Sequence, residues 1–181
     1  MAQRIQVIGA AGSGKTTLAR QLAARIGVEA LDLDSVIGRD AVELRQACER
    51  FAAEPAWVCE GIYCGWTDPL LRAADRIIWL DLPPVLSAYR IIRRHVRNSV
   101  GGNNPHKGVR LLVGFTYDAA WRYFHRPVAS DDELARNPGA NSRATVDQRL
   151  RPYASKVIHV RTRTDVRRLS DLIEVSDAPI D

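Results

Sequence analysis

No apolar run in the 181-residue sequence approaches the roughly 18 residues that would suggest a membrane span, which excludes a helical membrane protein. Cysteine is scarce too. Cys48, Cys59 and Cys64 show no metal-ligand spacing, and an odd number cannot make a complete disulfide set. Buried or half-buried thiols in a reducing cytoplasm are the expectation, with a reactive Cys64 near the mouth of a site as the competing reading. A secretory leader is not expected either, because Met1 to Val7 lead into an apolar stretch that stops at a glycine loop, as a first core strand does. There is no internal repeat and no domain linker. An Asn-Lys-x-Asp segment after the later strands is missing, which counts against a guanine-nucleotide switch. With 46% hydrophobic and 26% charged residues the composition argues against disorder, and the length suits one domain over 1–181 with one core.

What the sequence does have is charge concentrated in one place. Between Leu86 and Arg126 stand eight basic residues (Arg90, Arg93, Arg94, Arg97, Lys107, Arg110, Arg122 and Arg126) against one acidic residue, Asp118, in a chain of net charge +5. That segment suits an anionic ligand, either a nucleotide or a nucleic acid.

Five short runs predict strands: Arg4 to Ile8, Ala30 to Leu33, Trp57 to Cys59, Arg76 to Leu80 and Lys156 to Val160. Helical spacing lies between them. Leu18, Leu22 and Ile26 mark one helix that stops at Gly27. Ile37, Ala41, Leu44, Cys48 and Phe51 mark a second, and Asp68 to Ala73 a short third. Pro83 and Pro84 open a fourth, with Val85, Tyr89, Ile92 and Val96 on its apolar face. After the glycine-rich loop Ser99 to Gly108 come helices marked by Leu112, Phe115, Ala119 and Tyr123, by Ala144 to Leu150, and by Val166, Leu169 and Ile173. Arg126 to Ser142 shows no periodicity and reads as an exposed loop. Strands alternating with helices predict an α/β protein with a parallel sheet covered on both faces.

One motif decides the class. Gly9-Ala10-Ala11-Gly12-Ser13-Gly14-Lys15-Thr16 matches G-x-x-x-x-G-K-[ST] at every defined position, after a strand and at the opening of a helix. A loop that wraps phosphate must turn consecutive N–H groups inward, and glycine permits both the dihedrals and the close approach. The helix N-terminus adds its partial positive charge at the same spot. The candidate nucleotide contacts are therefore Gly9, Ala11, Gly12, Ser13, Gly14, Lys15, Thr16 and Thr17. Lys15 would reach the β- and γ-phosphates of ATP, and the Thr16 hydroxyl would ligate magnesium.

Acidic residues end three of the strands. Asp32 and Asp34 follow the second, and strand alternation would put both on one face near the γ-phosphate. Either could orient an acceptor hydroxyl, take its proton, or hold a magnesium-bound water, while Asp34 as a mere helix cap is the plainer reading. Glu60 ends the third strand and Asp81 the fourth. Asp81 has the better local pattern for holding magnesium through water, while Glu60 and Gly61 read as a turn on the acceptor side. Arg90, Arg94 and Arg97 share a helical face, and Arg90 and Arg94 are the candidate arginines for neutralising charge during transfer.

Several short segments point the same way: the glycine loop, Leu33-Asp34, Trp57 with Glu60-Gly61 and Tyr63, Ala74-Asp75, Ile78-Trp79-Leu80-Asp81-Leu82-Pro83, and Arg161-Thr162-Arg163. Together they resemble the adenylate-kinase-like branch of P-loop kinases, and within it the bacterial topology modulation proteins. The resemblance implies a three-layer P-loop NTPase sandwich with a five-stranded parallel sheet ordered 2-3-1-4-5. It also implies a mobile basic helical lid over about residues 94–126. Adenine would lie near the last strand, where Arg161 is the candidate contact, and Tyr63 would stand on the acceptor side. The chain departs from the family at Glu60 and Ile62, where aspartate and asparagine are usual, and lacks an aromatic residue in Ser35-Val36-Ile37-Gly38. Both departures fall on the acceptor side.

The expected activity is ATP- and magnesium-dependent phosphoryl transfer to a nucleotide, nucleoside or other small molecule. The alternative is a nucleic-acid-associated ATPase that uses the basic lid, with Trp121, Tyr123 and Phe124 to stack bases.

Overall fold

The computed structural model describes residues 3–36, 41–61, 63–83, 121–137, 140–162, 164–165 and 168–169. The helix expected after Pro83, the loop Ser99 to Gly108, Arg90, Arg93, Arg94 and Arg97, and most of the expected lid lie outside these residues.

The central strand β1 (Arg4–Gly9) is flanked by β3 (Trp57–Glu60) and β4 (Arg76–Leu80). Strand β2 (Ala30–Asp32) adds beyond β3, and β5 (Val157–Val160) beyond β4. The order is 2-3-1-4-5 and each pairing is parallel. This is the sheet the sequence resemblance implied.

Alternation along these strands divides the core in two. Ile5, Val7, Val58, Ile78, Leu80 and Val160 pack on one face with Ala19, Leu22 and Ala23 of α1 (Lys15–Ile26). Trp57, Cys59, Ile77 and Trp79 pack on the other. They meet Leu44 and Cys48 of α2 (Ala41–Ala52), Leu70 and Leu71 of α3 (Asp68–Ala73), and Val146 and Leu150 of α5 (Arg143–Leu150), with α4 (Asp131–Arg136) between α3 and α5 in sequence. Each Val, Leu or Ile among them, taken fully out of water, contributes about 1.5–3 kcal/mol before chain entropy is counted against it.

The amino edge of the sheet is closed by Asp75. Its carboxylate accepts the N–H groups of Gln3 and Arg4 at 3.1 and 3.0 Å and pairs with the Arg4 guanidinium at 2.9 Å. The Arg4 bonds hold its carboxyl at about 2.

Three expectations need correction. Strand β2 stops at Asp32, and Leu33–Val36 is a 3₁₀ turn, so alternation does not relate Asp32 to Asp34. Arg126 to Ser142 is not an exposed loop. It contains α4, capped by Ser130 Oγ, which accepts from Glu133 N–H, and it buries Ala129, Leu134, Ala140 and Ser142. Ala129 N–H donates to Thr145 Oγ1, and Ser142 Oγ donates to the Pro127 carbonyl, which ties the segment to α5. Third, a 3₁₀ segment, Arg151–Lys156, takes Lys156 from the last strand.

Candidate active site

Strand β1 delivers the chain to Gly9 at the carboxyl edge of the sheet, where ligands of open α/β folds bind. A Cβ on Gly9 would lie 2.7 Å from Ser13 Oγ and 2.8 Å from the Leu80 carbonyl, so the tight approach there requires glycine. Gly12 and Gly14 take left-handed φ values of 75° and 99°, and Ser13 N–H closes the turn on the Ala10 carbonyl at 3.1 Å. Gly14 caps α1 without a side-chain bond, which leaves first-turn amides for a ligand. Gly9, Ala11, Gly12, Ser13, Gly14, Lys15, Thr16 and Thr17 thus lie in one strand–loop–helix passage, as their spacing predicts.

The carboxylate beside this loop is Glu60. It ends β3 in register with Val7 and Asp32 and is 3% exposed. Its Oε1 accepts from the Thr16 hydroxyl at 2.5 Å, and its Oε2 lies 3.8 Å from Lys15 Nζ. Burial pushes the Glu60 carboxyl up. The Thr16 bond and the Lys15 charge pull it back, while Asp32 and Asp34 add to the rise.

Asp32 and Asp34 reach this edge by a different route from the one alternation implied. Asp32 Oδ1 accepts the Asp34 N–H at 2.9 Å, and Ser35 Oγ donates to the Asp32 carbonyl at 2.6 Å, so Asp32 caps the 3₁₀ turn. That role had been the plainer reading for Asp34. The carboxylate of Asp34 instead accepts from the Tyr63 hydroxyl at 2.5 Å. Burial, followed by this bond to Asp34, pushes the Tyr63 phenol up, so Tyr63 stays protonated as a donor. Gly61 joins the two halves. Its φ is 149°, and a Cβ there would meet Leu33 Cβ at 2.7 Å, so only glycine lets the β3 end pass the 3₁₀ turn. Asp32, Asp34, Glu60, Gly61 and Tyr63 are therefore gathered at the ends of β2 and β3.

Asp81 is placed elsewhere. Arg143 Nε donates to its two oxygens at 2.8 and 3.0 Å, Arg143 Nη2 to Oδ2 at 2.7 Å, and His159 Nε2 lies 2.8 Å from Oδ2. Asp81 is thus already committed to Arg143 and His159, and Glu60 is the strand-end carboxylate bonded to Thr16. Arg161 Nε reaches His159 Nε2 at 3.3 Å, and Arg161 N–H donates to Asp165. Arg143 and His159 escaped the sequence reading. The polar His159 inside an aliphatic strand was the available signal for one of them, and Arg143 gave none. Arg90 and Arg94 lie outside the described residues.

Cys64 is not a reactive thiol. It is buried, and desolvation pushes it up to about 12, as it does Cys48 to about 11. Of the aromatics offered for base stacking, Tyr123 is buried and accepts from Trp79 Nε1 at 3.2 Å, Phe124 packs against the core, and Trp121 stacks on His125 at the surface.

The donor set suits magnesium. A hydroxyl and a carboxylate are hard oxygen ligands, and magnesium bound to a nucleotide keeps phosphate oxygens and waters instead of an all-protein cage. Among the described residues, no group of three His, Cys, Asp or Glu side chains is arranged to hold a metal ion on its own. No described helix is long and apolar enough to cross a membrane.

The strand order and the glycine loop on the central strand define the P-loop kinase fold. No protein-family profile matches the chain. The uncharacterized protein YqaC of Bacillus subtilis is 28% identical over 102 residues, which span 52% of this chain and 57% of YqaC. A shikimate kinase of Moorella thermoacetica is 29% identical over 133 residues, 62% of this chain and 77% of that enzyme. Among solved structures, a shikimate kinase from Bacteroides thetaiotaomicron aligns over 96% of this chain and 99% of its own, with 18% identity and a TM-score of 0.45. Against YqaC the chain thus matches little more than half of the relative's length, and the reading of the site rests on its own geometry.

Proposed function

We propose that this protein is an ATP-dependent phosphotransferase that moves the γ-phosphoryl group to a hydroxyl of a small acceptor. The observation that carries the reading is the junction of two groups at one sheet edge: Lys15–Thr16–Glu60 on the phosphate side and Asp34–Tyr63 on the acceptor side. The loop amides and Lys15 hold the phosphates. Thr16, with Glu60 behind it, would hold magnesium, whose charge would offset that of the phosphates. Tyr63 fixes one oxygen of Asp34 by donating to it, which leaves the other for the acceptor. As the acceptor oxygen bonds to the γ-phosphorus and the bond to ADP breaks, Asp34 takes the hydroxyl proton. The three buried thiols suit a cytoplasmic protein. Arg90 and Arg94, in a lid over about 94–126 of a single domain, and Arg161 near adenine, belong to the same proposal. So does the resemblance to the topology modulation proteins.

The test is a panel of nucleosides, nucleotides, sugars and aminoglycosides with MgATP, followed by ADP release. An acceptor-dependent rate is expected. Asp34→Asn should lower that rate by about 10²–10⁴-fold while still binding MgATP, and Lys15→Ala should lose transfer and also weaken MgATP binding. Full transfer by the Asp34 variant removes that carboxylate from the mechanism.

A further inference from the structure

The face of the sheet opposite α1 carries an arginine at the same carboxyl edge as the glycine loop. Strand β4 lies beside β1 with Leu80 in register with Gly9, and Asp81 is the next residue, its N–H bonded to the Val160 carbonyl at 2.9 Å. The Asp81 side chain lies on the Trp79 face, because its partners Arg143 and His159 both meet the Trp79 ring. Arg143, the first residue of α5, comes down on that face, and its guanidinium carbon lies 5.8 Å from the Trp79 ring centre.

The geometry is that of a fixed cation with an open edge. Both Asp81 oxygens are occupied by Nε and Nη2 of Arg143, and His159, stacked on Trp79 at 4.1 Å, holds Oδ2 from the other side. Among the described residues, Nη1 of Arg143 has no hydrogen-bond partner. The exposures differ sharply: the Asp81 side chain is 2% exposed and that of Arg143 is 41%. An arginine that served only as a strut between α5 and β4 would have no reason to keep two-fifths of its side chain in water beside a phosphate loop. One that presents its remaining donors to an anion would, because a guanidinium whose rotamer is already fixed loses little freedom on binding.

We propose that Arg143 is a nucleotide-phosphate contact, with Asp81 and His159 as its positioning residues, and that it meets the polyphosphate from the side of the sheet opposite Lys15. This rests on the phosphotransferase reading above. The phosphates would then lie between an ammonium group carried on α1 and a guanidinium carried on α5, so that charge is balanced from both faces of the sheet.

The experiment measures MgATP affinity and melting temperature for the wild type, Arg143→Gln and Arg143→Lys, with and without added guanidinium ion at millimolar concentration. Removing a charge-assisted hydrogen bond should raise the Kd of Arg143→Gln for MgATP about ten- to hundredfold, with partial recovery when guanidinium is supplied. Arg143→Lys, which keeps the charge but not the fork, should bind between the two. If Arg143→Gln does not fold, Arg143→Lys decides: weakened binding supports the contact, and wild-type affinity overturns it. Wild-type affinity in a folded Arg143→Gln protein overturns it whatever happens to the melting temperature. Should the wild type itself fail to bind MgATP, the phosphotransferase reading fails first.

Discussion

Glu60 is an expensive residue to bury. At 3% exposure its carboxylate has one hydroxyl and one ammonium group nearby and two further carboxylates raising its proton affinity. The sign of the consequence follows from linkage. A carboxyl held above its unfolded value of 4.5 resists ionisation in the native state, so it costs no stability at acid pH and an increasing amount as pH rises past that value. Glu60→Gln should therefore melt higher than the wild type at pH 8, with the difference shrinking toward pH 4. The same variant should lose the magnesium dependence of ATP binding. A lower melting temperature at pH 8 with metal dependence intact would refute this account of Glu60. That Glu60, not Asp81, meets Thr16 was within reach of the sequence. Trp57 and Cys59 share one face of β3, which sends Glu60 toward α1, whereas Ile77 and Trp79 send Asp81 the opposite way. Counting parity from each buried tryptophan separates two residues that local composition does not. The contact between Tyr63 and Asp34, 29 residues apart, carries no such mark in the sequence.

Among the elements, β4 was legible as a continuous aliphatic run buried on both faces, and α2 because burial of one face, with Leu44 and Cys48, enforces helical spacing. Short elements held by caps were not. The segment Ser130-Asp131-Asp132-Glu133 has the spacing of a capping box, and Ser130 does cap α4, but α4 has one buried residue and hence no period to detect. The 3₁₀ turn Leu33–Val36 likewise depends on the Asp32 side chain, which competes with the strand for backbone donors. The turn and β3 touch at Gly61, where added bulk meets the Leu33 side chain on a backbone already at φ 149°. Gly61→Ala should cost about 1–3 kcal/mol in urea unfolding, and by shifting the turn that carries Asp34 it should lower kcat more than it raises KM for ATP. Unchanged unfolding and unchanged kcat would show that the turn tolerates a side chain there.

At the scale of the molecule, parallel strands order the chemistry by putting every loop that follows a strand on one edge. The P-loop, the Asp34–Tyr63 pair and Asp81 follow the ends of β1, β2, β3 and β4, and all share that edge because every strand is parallel. Arg143 of α5 and His159 of β5 meet Asp81 there. The sequence revealed the strand count and the loop at the centre. Strand order came from resemblance, since no local pattern states which strands are neighbours. The sequence places Asp32, Asp34, Glu60, Gly61 and Tyr63 on the acceptor side but not the bond of Tyr63 to Asp34, for the same reason.

All of this depends on the turn from Gly9 to Thr16 holding a polyphosphate. Calorimetric titration of the protein with MgATP, repeated with Lys15→Ala, tests it most directly. The account predicts one site per chain, with affinity about 10- to 150-fold weaker once the ammonium group is gone. No binding by the wild type, or equal binding by both proteins, would contradict it.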